Sequence, residues 1–337
     1  MTLLPLLALQ YKPAILNYTT RFVDFTEYML AHGITLFPVA DNLQPYPDYT
    51  IANTFLEYLA SLPFGRVSIL SMGLPICMAA SLMLVFVYKL GALHDRKWGV
   101  YAVFFSLFSW AFLDGVTYQS LDVYPALFTI IAFYLVYSDN LKLRQPRLAL
   151  ILLSMALGFA FRGPIGLIVP TVVLASYYSL SRQWRMLCYF LVLAGLLLFA
   201  LLALLMGAAF LQGGKAFMMD VAIMQGLGRV TNEHGARYYF YFTLGLATYG
   251  ITAFFALNVI FKKYSAFLHS PRESDTALLF YLATWLVAVL VLLTIPNSKN
   301  CVTSCRSRRR LPCWRAIFLS IRTESLRARG TNFCAFA

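Results

Sequence analysis

Three clusters of charged residues in this sequence have types and spacings suited to acid–base and anion chemistry. Arg21, Asp24 and Glu27 stand at i, i+3 and i+6 in TTRFVDFTEY, roughly one face of a helix. Asp122 opens the apolar run LDVYPALFTII, with Asp114 about two helical turns earlier on the preceding run. Arg162 separates two apolar runs in GFAFRGPIGLIVP, and a later polar stretch supplies Glu233, His234 and Arg237. A carboxylate can take a proton from a hydroxyl. An arginine presents a planar fork of N–H donors that matches a phosphate. Gathered at one interface, these types imply a site for a phosphate-bearing substrate beside a proton acceptor.

Each cluster also has a plainer reading. Arg21, Asp24 and Glu27 fit the solvated face of an interfacial helix. Asp122 fits a helix N-cap, since an apolar run begins directly after it. Arg162 fits a side chain that snorkels toward water at a turn. Glu233 and His234 fit an ordinary surface loop. Charge and periodicity alone place a site at one interface without naming its reaction.

The elements that must position these residues are set by composition. The chain is 60% hydrophobic and only 12% charged, with a mean hydropathy of +0.70. Soluble domains carry about 25% charged residues, so this chain cannot cover a water-exposed surface. It reads as an all-α, polytopic transmembrane bundle, with spans of roughly 20 apolar residues. Tyr88, Trp98, Tyr101, Tyr137, Trp184, Tyr238 and Tyr239 sit where apolar runs meet charge, as in an interfacial aromatic belt. The net charge of +13 is no nucleic-acid footprint, because the segment 300–337 accounts for seven of those charges with eight Arg against one Glu. Six cysteines form no metal-binding spacing: Cys77 and Cys188 lie inside apolar runs, and the other four lie beyond residue 300. No secretory signal with a cleavage site is visible.

Along the chain, residues 1–16 read as part of a first span, broken by Lys12 and Pro13. Residues 17–66 read as a loop with short amphipathic helices near 22–32 and 51–61. Spans are predicted at about 68–91, 99–117, 123–138, 148–161, 165–180, 186–210, 238–261 and 277–295, with a polar stretch over 211–237. Residues 67–299 thus form the membrane core, and 300–337 a basic tail. Alternate short loops carry Arg96 and Lys97; Lys142, Arg144 and Arg147; Arg182 and Arg185; Lys262, Lys263 and Arg272. The positive-inside rule puts these loops in the cytoplasm. The loop 17–66, the turn 162–164 and the stretch 211–237 then share the opposite, outer side, which in a bacterium is the periplasm.

The order of motifs resembles the GT-C class of polytopic glycosyltransferases, especially bacterial relatives of the protein O-mannosyltransferases and lipid A aminoarabinose transferases. TRFVDFTEYMLAHGITLFPV resembles their first outer loop, and QPYPDYTIANTFLEYLASLPFG the segment after it. QSLDVYPALFTIIAFYLVYS resembles the span opened by an acid, GFAFRGPIGLIVP the basic Gly-Pro turn, GRVTNEHGARYYFYF the later His-bearing loop, and LLTIPNSK a lysine-bearing outer segment. The resemblance covers roughly residues 15–299.

It implies a multi-pass inner (plasma) membrane enzyme that moves a sugar from a polyprenyl-phosphate donor to a lipid, glycan or protein acceptor on the periplasmic face. Asp24, Glu27 and Asp122 would be catalytic. Arg21, Arg162, Glu233, His234, Arg237 and Lys299 would bind substrate. Metal dependence varies in such a family, so a divalent metal is compatible with the resemblance, with no metal ligand assigned. The chain departs from the pattern where an Asp-Glu pair usually precedes Thr-Arg-Phe, because Tyr18 and Thr19 stand there. It departs again where Lys-Pro is replaced by Tyr49-Thr50. Two other readings follow: a transporter or flippase, and a truncated, inactive family member. The abrupt change after Lys299 fits a shifted reading frame near Asn300 or a disordered basic tail.

Overall fold

The computed structural model describes residues 3–11, 17–39, 43–139, 145–227, 258 and 274–294. Among these residues the chain is helical, with one isolated β-bridge between Val39 and Pro45. The helices are α1 (Leu3–Ala8), α2 (Asn17–His32), α3 (Ala52–Ser61), α4 (Ile69–Ala92), α5 (Arg96–Leu107) and α6 (Trp110–Thr117). They continue as α7 (Val123–Tyr137), α8 (Gln145–Arg162), α9 (Pro164–Leu180), α10 (Trp184–Ala222) and α11 (Ser274–Thr294). The all-α transmembrane reading therefore holds. The predicted helices near 22–32 and 51–61 are α2 and α3. The runs at 68–91, 123–138, 148–161, 165–180 and 277–295 are α4, α7, α8, α9 and α11. The run 238–261 lies outside the described residues.

Two helices are long and apolar enough to cross a bilayer alone, Ile69–Ala92 and the stretch Trp184–Gly226. Only 11% of the most apolar window of the latter is buried. Its outward face carries Val192, Leu196, Phe199 and Leu204, each more than three-fifths exposed. A patch of that size is stable only against hydrocarbon or another apolar surface. Val123–Tyr137, Pro164–Leu180 and Leu278–Leu292 are shorter apolar helices.

Two sequence expectations need correction. The run 99–117 is not one straight span, because α5 and α6 meet at 60°. Ser106 Oγ donates to the Ala102 carbonyl at 2.8 Å, and Ser109 is extended (φ −74°, ψ 121°), so the ladder ends and restarts there. The stretch 211–237 is not wholly loop: α10 bends at Gly213–Gly214, resumes to Ala222, and passes into a π-helical turn, Ile223–Leu227. Phe217 and Val221, one turn apart, are buried after the bend with Phe37 and Ala209, which draws the resumed helix back onto the protein.

The N-terminus of α4 is fixed by a reciprocal capping box. The Ser71 N–H donates to Ser68 Oγ at 3.1 Å, and the Ser68 N–H donates to Ser71 Oγ at 3.0 Å. Ser61 Oγ reaches Ser71 Oγ at 2.8 Å, so α3 is tied to that cap. α8 and α9 form a tight hairpin in which Gly158 and Gly166 approach so closely that a Cβ on either would overlap the other's carbonyl. One core cluster joins α2, α4, α7 and the end of α8 through Phe22, Phe25, Met72, Tyr124, Leu127 and Phe161. A second joins α7 to α11 through Phe133, Met155, Leu174, Tyr178, Phe190 and Leu278.

The hairpin contact gives a test of this packing. Gly166→Ala should lower the thermal unfolding midpoint of the detergent-purified protein, at a cost of about 1–3 kcal/mol for forcing a methyl into backbone. Gly207→Ala, on α10 with open space at its Cβ, should be neutral or stabilising by about 0.5–1 kcal/mol. Equal midpoints for the two variants would refute the close approach.

Candidate functional site

The Arg162–Gly163–Pro164 turn is where the elements converge. Arg162 is the last residue of α8, and Gly163 follows with φ +65° and ψ −150°, a conformation essentially confined to glycine. The turn aims the Arg162 side chain at the start of α7. There Arg162 Nε donates to Asp122 Oδ1 at 2.8 Å, with the guanidinium side chain 18% exposed and the carboxylate 69%. Asp122 stands at the N-cap position of α7 but makes no side-chain cap. Ser120 holds it instead: Ser120 Oγ donates to Asp122 Oδ2 at 3.4 Å, and the Asp122 N–H donates to Ser120 Oγ at 3.3 Å. The N-cap reading of Asp122 thus gives way to an ion pair.

Behind the pair, Tyr124 and Phe161 stack with ring centroids 4.0 Å apart. One is two residues after Asp122 and the other directly precedes Arg162, so a single aromatic contact fixes both ends of the ion pair. The loop between α2 and α3 closes the other side. Asp122 is the strongest charge acting on the Arg162 guanidinium, and Asp48 adds a weaker field of the same sign. Gln225, in the turn after α10, donates from Nε2 to the Asp48 carbonyl at 2.7 Å and to the Pro47 carbonyl at 3.3 Å. The three segments that charge alternation sets on one side, 17–66, 162–164 and 211–237, therefore meet in space.

Arg21 reaches this assembly through aromatics. Its Nη1 donates to the Tyr46 hydroxyl at 3.0 Å, and its guanidinium lies 5.7 Å from the Tyr46 ring centroid. Tyr46 in turn packs on Tyr49 at 5.3 Å. Glu27 is exposed and Asp24 half-buried on the same helix. Glu233, His234, Arg237 and Lys299 lie outside the described residues. Among the described residues no group of three or more His, Cys, Asp or Glu is gathered to hold a metal ion.

Three residues escaped the sequence reading: Asp48, Gln225 and Glu57. Asp48 and Glu57 were visible only as acids within a motif-bearing segment, and Gln225 gave no signal. Glu57 is 2% exposed, although it lies on a short interfacial helix. α3 turns its polar residues Asn53, Thr54, Glu57 and Ser61 inward, and leaves Leu59 outward, with Leu62 and Phe64 just beyond its end. Asn53 Nδ2 donates to Glu57 Oε1 at 2.8 Å, and Thr26 Oγ1 donates to Oε2 at 3.4 Å. Burial pushes the Glu57 carboxyl up from 4.5 to about 8, against the lowering effect of those two hydrogen bonds.

Fold and site together define a polytopic α-helical membrane protein with an arginine–aspartate pair at one end of its bundle. The chain resembles two solved structures of ArnT from Cupriavidus metallidurans. The form bound to undecaprenyl phosphate superposes with a TM-score of 0.70 at 14% identity, over 88% of this chain and 55% of that one. The apo form gives 0.66 at 14% identity, over 88% and 54%. The chain thus spans about half the length of these structures, and the likeness is one of fold. No family model matches the sequence, and no curated protein matches it.

The Glu57 shift has a definite sign. In the unfolded chain the carboxyl ionises near 4.5, whereas the folded protein keeps its proton to about 8. Between those values the unfolded state binds fewer protons, so stability falls as pH rises and levels off above about 8. Glu57→Gln keeps the shape and the Asn53 hydrogen bond and loses the titration. Its unfolding midpoint between pH 6 and 8 should decline less steeply than that of the wild type. Parallel curves for the two proteins would show that Glu57 is not held protonated.

Proposed function

We propose that this protein is a membrane glycosyltransferase that moves a sugar from a polyprenyl-phosphate donor to a hydroxyl or amine of a lipid, glycan or protein acceptor. The observation that carries this reading is the Arg162–Asp122 pair. It stands at the mouth of a bundle whose fold is like that of a protein solved with undecaprenyl phosphate. By the positive-inside rule that mouth is the outer face of the membrane, which in a bacterium is the periplasmic face.

The chemistry follows from the donors and acceptors available. Arg162 Nε is committed to Asp122, and the two Nη groups carry four further N–H donors for a phosphate. The acceptor oxygen or nitrogen forms a bond to the anomeric carbon. The bond from that carbon to the phosphate oxygen breaks, and its electron pair leaves with the lipid phosphate. Arg162 stabilises the charge that develops there. The acceptor's proton passes to a carboxylate, and Asp48 is the carboxylate besides Asp122 whose charge acts on Arg162. Asp122 then orients the guanidinium. Asp24 and Glu27, further along α2, are the alternative bases, with Arg21 and Tyr46 between loop and helix. A divalent metal remains compatible with a phosphate-binding cleft, and none of these roles depends on it.

The transporter reading is less well supported. Transporters unwind their helices near the bilayer midplane. From Trp184 to Gln212, α10 is about 43 Å long at 1.5 Å per residue, more than the roughly 30 Å of hydrocarbon. Its bend at Gly213–Gly214 therefore sits at an interface.

Purified protein in lipid, given a labelled polyprenyl-phosphate sugar and membrane extract, should transfer label. Arg162→Gln should raise the donor KM about tenfold or more, because a charge-assisted hydrogen bond contributes roughly 1.5–3 kcal/mol. Asp48→Asn should lower kcat with little change in KM. Transfer that is unchanged in Asp48→Asn, Asp122→Asn and Asp24→Asn alike would remove the site assignment. Vectorial solute uptake without transfer would favour a transporter.

A further inference from the structure

Gln225 has an arrangement that stability alone does not account for. It is 5% exposed, and both N–H donors of its amide are directed at consecutive carbonyls, Asp48 at 2.7 Å and Pro47 at 3.3 Å. This fixes the orientation of the amide, since a flipped group would set its oxygen against two carbonyl oxygens. Among the described residues the oxygen, Oε1, is buried without a hydrogen-bond partner. A buried acceptor left unsatisfied is a net cost to folding. Oε1 lies against the Arg162–Gly163 turn: a Cβ on Gly163 would come within 2.5 Å of it. The residue therefore spans two segments 177 positions apart in the chain and wedges itself against the turn that presents Arg162.

We propose that Gln225 is a positioning residue, a latch that holds the Asp48 backbone against the Arg162–Gly163 turn and so sets the Asp48 carboxylate relative to the Arg162–Asp122 pair. The role in catalysis rests on the glycosyltransferase reading above; the latch itself does not. Gln225 bonds the backbone carbonyls of Pro47 and Asp48, so it acts on the transfer step through Asp48 rather than on donor affinity. The requirement for glycine at 163 has then two sources, the positive φ and the space that Gln225 occupies. The requirement at 225 is for a side chain that donates twice and fits that gap, which glutamine meets and a shorter asparagine does not.

The test uses the full chain in lipid, with a labelled polyprenyl-phosphate sugar and membrane extract. Gln225→Leu and the isosteric Gln225→Glu both lose the paired donors. Each should lower kcat about tenfold, as loss of about 1.4 kcal/mol from the transition state would, with donor KM within twofold. In an Asp48→Asn background, Gln225→Leu should have no further effect, because the residue acts through Asp48. A kcat within twofold of wild type in both variants, or a loss fully additive with Asp48→Asn, overturns the proposal. If Gln225→Leu fails to fold, Gln225→Glu decides by the same criteria.

A second measurement is independent of activity. Hydrogen–deuterium exchange of the amides in residues 43–50 should accelerate in Gln225→Leu, while those of α4 keep their wild-type rates. Unchanged exchange in 43–50 overturns the latch. Faster exchange there in Gln225→Leu, when the wild-type protein shows no transfer, leaves the latch standing and removes the proposed reaction.

Discussion

Withdrawing a guanidinium from water demands a counter-charge held in place, and the loop end of this bundle is arranged around that demand. Arg162 is more than four-fifths buried and meets Asp122 at 2.8 Å. The elements behind the pair are those that keep the two groups from separating. The Gly158–Gly166 approach draws α8 and α9 together below the turn. The Tyr124–Phe161 stack ties the start of α7 to the end of α8. Ser120 takes up the second carboxylate oxygen. Had Asp122 capped α7 in the ordinary way, its oxygens would face backbone N–H groups and Arg162 would be buried beside a partner already engaged.

The same end is built for two solvents. α3 packs its amides, hydroxyls and one carboxyl inward and leaves Leu59 outward, the reverse of a helix on a water-soluble protein. The inversion makes sense where the outer surface meets lipid and the protein interior supplies hydrogen-bond partners. Glu57 is the consequence: a carboxyl held by Asn53 and Thr26, kept neutral by burial, and linking α2 to α3 beneath the loop that bears Asp48. A charged Glu57 would face the full desolvation cost, offset in part by the two neutral donors Asn53 and Thr26.

Much of the helical framework was legible because apolar run length is a strong signal. The ends of α3, α4, α7 and α9 fall close to the predicted boundaries, whereas α2 begins at Asn17, well before the predicted start near 22. The break between α5 and α6 was not legible, since it depends on the conformation of Ser109 in a run that reads as continuous. Nor was the extension of α10, because Gly213–Gly214 and Lys215 look like the start of a loop, and the helix resumes only through burial of Phe217 and Val221 against Phe37. At the site, Asp122 and Arg162 were visible as charges at run boundaries, where they are costly unless paired. That they pair with each other, 40 residues apart, is a property of the helix packing. Gln225 carried no signal at all: an uncharged polar residue in a stretch read as loop declares neither its burial nor its partners.

The two ends of the bundle satisfy their polar groups in different ways. At the basic end the connections are mostly local. Arg147 pairs with Asp139 at 3.3 Å and bonds Ser138 across nine positions, and Asp95 caps the N–H of Lys97, two residues on. His94 to Tyr137 and Ser181 to Tyr281 are the longer links there, and both end on a tyrosine hydroxyl. At the loop end the links run across the chain, Arg162 to Asp122, Arg21 to Tyr46 and Gln225 to Asp48. A local pair forms with its own turn and constrains little else, which suits loops whose task is to hold topology. A long-range link exists only when several helices have reached their final places, and it fixes side chains from distant segments relative to one another. Such links gather at the loop end, where the backbone at Gly163 adopts a conformation essentially confined to glycine.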